Sequence, residues 1–167
     1  MSWTTIIWSM SAAVCLTLAA VHFIVWSRMR DSWGYLLFAV AAVSTAVIAM
    51  LELNLIHAKT PEAYGELLRW MHVPAGILMV ALVWFIYFYL QAGRRWLAWT
   101  ITGLRMLILL PNFLYYTNAT FAEITGLRAE VFLGEIFSVP IGEENPWRIL
   151  IHVSTLLLLL FVLDTAI

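Results

Sequence analysis

Five strongly polar side chains lie inside long apolar runs: Glu52, His72, Arg105, Asn112 and His152. Ionisable groups at membrane depth are costly and are functional candidates by default. Helical spacing puts Glu52 and His72 about a turn inside the same end of their respective runs, with His152 near that end of the last run. Arg105 falls near mid-depth, with Asn112 about two turns further toward that end. Four of the five thus share one leaflet, and a polar pocket facing outward is the functional expectation. The plainer alternative is structural. Glu52 and Arg105 would pair because a paired charge in lipid is better than a lone one, and the histidines would hydrogen-bond backbone carbonyls or sit at headgroup level. Glu52, His72 and His152 together are a conceivable ligand set for Zn, Fe or Cu, although no HxxxH or CxxC spacing puts two ligands on one helix face. An axial histidine to haem or a chlorin is a further option at His22, in the inner half of the first run, or at His72.

The elements that must position these groups are membrane-crossing helices. The chain of 167 residues is 63% hydrophobic and 11% charged, with a mean hydropathy of +0.91, whereas soluble domains carry about 25% charge. A bilayer core takes roughly 20 apolar residues per helix. Five runs qualify, at about 4–26, 33–56, 69–90, 96–116 and 147–166. The fold class expected is all-α membrane protein, a single polytopic domain 1–167 with no room for a separate soluble enzyme. Met1-Ser2-Trp3 offers no basic residue before the first run, so that run reads as a span rather than a cleaved signal. Cys15 lies inside it and has no cysteine partner in the chain.

Orientation follows from the basic residues. Arg28 and Arg30 lie between runs one and two, Arg94 and Arg95 between runs three and four. Cytoplasmic links carry the excess of Lys and Arg, so the expectation is N-terminus outside and C-terminus inside, in a bacterial cytoplasmic membrane. Trp3, Trp26, Trp33, Trp70, Trp96 and Trp147 fall near span ends, as an interfacial aromatic belt requires. The fifth run ends near Asp164 without a basic residue behind it, so either the helix continues into further sequence or a partner covers that end.

The remaining link, 117–146, is acidic and expected outside: Glu123, Glu130, Glu135, Glu143 and Glu144 stand against Arg128. Arg128–Leu133 and Ile136–Val139 are rich in β-branched and aromatic residues, and Gly134-Glu135 between them suits a type II′ turn. The sequence predicts a hairpin ended by Pro140 and Gly142. Asn145-Pro146 opens the last helix, with Pro146 near its first turn. A lone hairpin is marginal in water, so Phe132 and Phe137, with Val131, Leu133 and Ile136, are expected to be covered by another surface. Asn118-Ala119-Thr120 matches the N-glycosylation pattern, a short and common one. Pro111 is expected to kink the fourth span and free a carbonyl for Asn112 or a water.

Three stretches, "AYGELLRWMHVP", "RRWLAWTITGLRMLILLPNFL" and "EITGLRAEVFLGEIFSVPIGEENPW", resemble the N-terminal membrane region of bacterial multidomain sensors, in which such a module precedes PAS, histidine-kinase or diguanylate-cyclase-type output domains. The resemblance covers most of the chain from Trp33 onward. It implies a sensory input role and carries over no binding residue. The stretch at hand holds no output domain. The competing expectation is an accessory or scaffold subunit of a photosynthetic or respiratory assembly. A membrane enzyme or transporter ranks below both, because there is no internal repeat and no paired-carboxylate or nucleophile–base motif. The partners expected are membrane lipid and other membrane subunits or a second copy, not nucleic acid.

Overall fold

The computed structural model describes residues 3–114, 118–132 and 135–166. Five helices and one antiparallel ribbon account for nearly all of them: α1 (Trp3–Arg28), α2 (Trp33–Ile56), α3 (Pro61–Tyr89), α4 (Arg95–Leu114), β1 (Phe121–Phe132), β2 (Glu135–Glu144) and α5 (Arg148–Ala166). All five helices are long and apolar enough to cross a membrane.

Each helix packs chiefly on its neighbours in sequence, α1 on α2, α2 on α3, α3 on α4 and α4 on α5. Small residues set the first contact. Ala12 of α1 meets Ala46 and Ala49 of α2, with Trp8 and Cys15 alongside. Such residues let backbones approach closely where lipid offers no hydrophobic drive to associate. A larger cluster joins the other end of the row: Val83 of α3, Leu97, Ala98 and Ile101 of α4, and Phe161 of α5 are all buried together.

Successive helices reverse direction, which gives the molecule two distinct ends. At one end lie Arg28, Arg30, Arg94 and Arg95. There Arg94 Nε meets Asp164 Oδ1 at 3.2 Å, so the unaccompanied end of the fifth run finds its cation in the α3–α4 link. Gly93 makes that link possible. Its φ is +87°, and a Cβ would lie 2.5 Å from the Phe161 ring, so both conformation and space call for glycine.

The other end carries the ribbon. α3 starts eight residues before the expected span, because Thr60 accepts a hydrogen bond from Ala63 N at 3.2 Å and Pro61 and Glu62 fill the first turn. The two added turns form the ribbon's seat. Tyr64, Leu67 and Leu68 of this segment, with Met71 just beyond it and Leu55 and Ala58, pack against Ile124 and Leu127 of β1. Ser138 of β2 donates to the Ala58 carbonyl at 2.7 Å.

The ribbon itself differs from expectation in three respects. β1 starts seven residues before the expected 128–133 segment, and β2 runs past both ends of the expected 136–139 segment. Glu135 is a strand residue paired with Phe132 rather than a turn residue, and the expected turn glycine, Gly134, lies outside the described residues. Pro140 and Gly142 do not end β2: they pair with Leu127 and Ile124. A two-stranded ribbon leaves one edge of each strand free of ladder bonds, so proline is tolerated. Gly142 stands where a register shift between Ile124 and Gly126 brings the Glu123 carbonyl within 2.0 Å of a would-be Cβ. That shift leaves Thr125 unpaired and turns both Ile124 and Leu127 toward the helix ends, although they lie three residues apart.

Candidate functional site

The segment joining α4 to the ribbon is held by asparagines, all fully buried. Asn112, near the end of α4, donates from Nδ2 to the Arg69 carbonyl of α3 at 3.0 Å and accepts from Ala119 N at 2.8 Å. Asn118 accepts from Thr120 N and Phe121 N. Asn145 donates from Nδ2 to the Asn118 carbonyl at 2.9 Å and accepts from Trp147 N at the start of α5. Its backbone N–H reaches the Thr120 carbonyl. One continuous network therefore links α3, α4, the entry to the ribbon and the entry to α5. Arg148, the first residue of α5, is paired with Glu144, the last of β2.

Directly beneath this layer is a cavity of about 120 Å³ lined by His72, Ala75 and Gly76 of α3, Arg105, Ile108 and Leu109 of α4, Ile151 of α5, and Thr120. His72 Nε2 lies 3.2 Å from Thr120 Oγ1, and the ring also hydrogen-bonds the Leu68 backbone. Arg105 is 7% exposed. Its Nη2 donates to Thr155 Oγ1 of α5 at 2.9 Å, and its Nε is buried without an acceptor among the described residues.

Of the five side chains singled out by sequence, His72 and Arg105 share the cavity and Asn112 belongs to the network above it. Glu52 and His152 do not join them. Glu52 is half-buried on α2 and forms no ion pair with Arg105. The reason is the order of packing: α2 packs on α1 and α3, and α4 on α3 and α5. His152 is exposed on α5, one residue beyond cavity-lining Ile151 and so turned away from it. Among the described residues no three His, Cys, Asp or Glu side chains converge on a possible metal position, so Glu52, His72 and His152 do not form the ligand set considered above. His22 contacts the Leu18 carbonyl through Nδ1 at 2.8 Å and stacks on Phe38. The expectation that histidines engage the backbone describes His72, at Leu68, and also His22 and His57, the last at the Leu53 carbonyl.

Three further expectations change. Asn112 serves α3 and the connecting segment rather than a carbonyl freed in its own helix. Asn118 is buried, with its side-chain oxygen turned onto two backbone N–H groups, so the glycosylation triplet is a turn device. The ribbon's apolar residues are covered only at its base. Val131 and Ile136, a cross-strand pair, are 74% and 68% exposed, Phe137 is half-buried, Arg128 pairs with Glu130, and the side chain of Phe132 lies outside the described residues. Thr120, Thr155, Asn118 and Asn145 are the members that sequence reading missed. Threonine and asparagine are too common to stand out until the fold brings them together.

No protein-family model, curated protein or solved structure matches this chain.

Proposed function

We propose that the chain is a membrane-embedded signal-input module without catalysis of its own. It crosses a bacterial cytoplasmic membrane five times, with the N-terminus and ribbon outside and the arginine-rich links inside. The observation that carries this reading is the double attachment of α5. Its entry is tied to the Asn118–Asn145 network, and about two turns further on Thr155 holds Arg105 of the cavity. A change at the cavity or in the network therefore bears directly on the one helix that runs from the ribbon end to the arginine end after the site. At that far end α5 is held by Phe161 against Gly93 and by Asp164 against Arg94, contacts able to register a small shift.

The test is a distance measurement between spin labels at Gln91 and Leu163 in the chain reconstituted in bilayers. Disturbing the cavity with Arg105→Gln is expected to move the distribution by on the order of 1–2 Å, the scale of helix shifts in switching proteins. An unchanged distribution in a folded variant would remove the support for signalling.

The scaffold reading keeps one observation in its favour. Val131 and Ile136 continue the ribbon face that packs on α2 and α3 but extend past those helices into the open. Purification from native membranes with other subunits at fixed stoichiometry would favour that reading.

A further inference from the structure

Arg105 presents a problem that the hydrogen bonds around it do not solve. Its guanidinium lies at mid-depth in a helix apolar enough to cross a membrane, 93% withdrawn from the surface by its 7% exposure. Thr155 supplies a neutral oxygen, and Nε has no acceptor among the described residues. None of the ion pairs among the described residues includes it. His72, the other titratable group on the cavity wall, is engaged by the Thr120 hydroxyl and the Leu68 backbone. In the arrangement with the fewest buried charges Thr120 donates to Nε2, the imidazole is neutral, and Arg105 is the one charge on the wall among the described residues. A neutral hydroxyl or a water can satisfy a donor but cannot cancel a buried positive charge.

We propose that the cavity between α3, α4 and α5 binds a small monovalent oxyanion of the carboxylate or nitrate class, held by Arg105. The guanidinium is a planar fork of N–H donors that matches such an anion and binds it with charge-assisted hydrogen bonds. The size fits. A volume of about 120 Å³, well above the roughly 10–15 Å³ that one water needs on the same measure, takes an ion the size of formate, acetate or nitrate. The walls fit as well: Ala75, Gly76, Ile108, Leu109 and Ile151 are small or apolar and favour an anion with little hydrogen-bonding demand beyond its oxygens. Binding would place a negative charge beside the residue that holds Thr155, so the ion would act on α5 at its point of attachment. The ligand class deepens the signal-input reading and takes its pocket as the site.

The experiment measures binding alone, so its failure and that of the signalling reading are distinguishable. The full chain in lipid nanodiscs is unfolded by heat in sodium formate or sodium nitrate, and in sodium gluconate at equal ionic strength as the bulky control. The expected result is a saturable upward shift of the midpoint with formate and nitrate over gluconate. Gly76→Leu fills the cavity without touching the charge. A Cβ at position 76 meets nothing within 4 Å, so this variant is expected to stay folded and lose the shift. Arg105→Gln is expected to lose it as well. Should either variant fail to fold, saturation-transfer NMR of formate with the wild-type chain, competed by nitrate, decides the matter. Equal midpoints in all three salts, no saturation transfer, or an undiminished shift in folded Gly76→Leu would overturn the proposal. The first two outcomes mean a cavity that holds water only, and the third means an ion bound elsewhere.

Discussion

Arg105 of α4 and Thr155 of α5 meet at 2.9 Å across a helix pair that otherwise joins through apolar side chains, Phe161 among them. The hydroxyl serves two partners: it accepts from the guanidinium and donates to the Ile151 carbonyl at 2.8 Å within its own helix. This back-bond fixes the hydroxyl rotor so that its lone pairs face Arg105. Thr155→Ser keeps both contacts and is expected to be nearly neutral. Thr155→Val conserves volume and removes both, and it is expected to cost about 0.5–2 kcal/mol, the range for interhelical polar contacts in membranes. Denaturation of the reconstituted chain separates the two variants.

Asn112→Leu removes the donor to the Arg69 carbonyl and the acceptor for Ala119 N. The Ala119 N–H is then left buried and unpaired, at a cost of about 1–3 kcal/mol. The loss is expected to loosen the ribbon first, because Ala119 leads into β1. Amide exchange at Thr120–Glu123 should accelerate in this variant before exchange in α3 does. Uniform acceleration across the chain would mean that Asn112 supports the whole bundle rather than the cap.

Gly93→Ala combines a left-handed backbone with a side-chain collision against Phe161. The conformation alone costs roughly 1–2 kcal/mol for a residue with a Cβ, and the collision adds to it. The expected outcome is a lower unfolding midpoint that Phe161→Ala does not restore, because the φ term remains and a cavity replaces the ring.

Ribbon substitutions should divide by position. Leu127→Asp buries a charge against Leu55 and Tyr64 and is expected to detach the ribbon, read as protease sensitivity. Val131→Thr with Ile136→Thr alters two exposed side chains and is expected to change stability by less than about 0.5 kcal/mol. If the double variant lowers oligomer mass in mild detergent, the overhanging pair is a contact between subunits.

The proposed topology is tested by cysteine labelling in a Cys15→Ser background. Glu143 and Lys59, exposed at the ribbon end, should react with an impermeant reagent from outside. Met29 and Gln91, exposed at the arginine end, should react only after permeabilisation. The reverse pattern would invert the orientation.

The number of helices and the common end of the two arginine pairs were legible in the sequence, because a bilayer-length apolar run admits essentially one backbone solution and each run forms its own hydrogen bonds. That two strands occupy the last link was legible from its β-branched and aromatic content. The early start of α3 is written in Thr60-Pro61-Glu62, a cap followed by a proline and an acid in the first turn, signals that hydropathy does not register. Other features depended on packing. Glu52 and Arg105 are natural partners by charge, yet their helices each pack on α3 rather than chiefly on one another. Residues 151 and 152 are neighbours in sequence, but their positions around α5 put Ile151 on the cavity and His152 outside it. Thr120 and Asn145 look like ordinary loop residues, and they became part of the site when the chain between α4 and α5 folded back over α3. Sequence determined which groups would be expensive to bury. The tertiary structure decided which of them share a cavity, because the order of helices and the rotation of each about its axis are set by contacts between residues far apart in the chain.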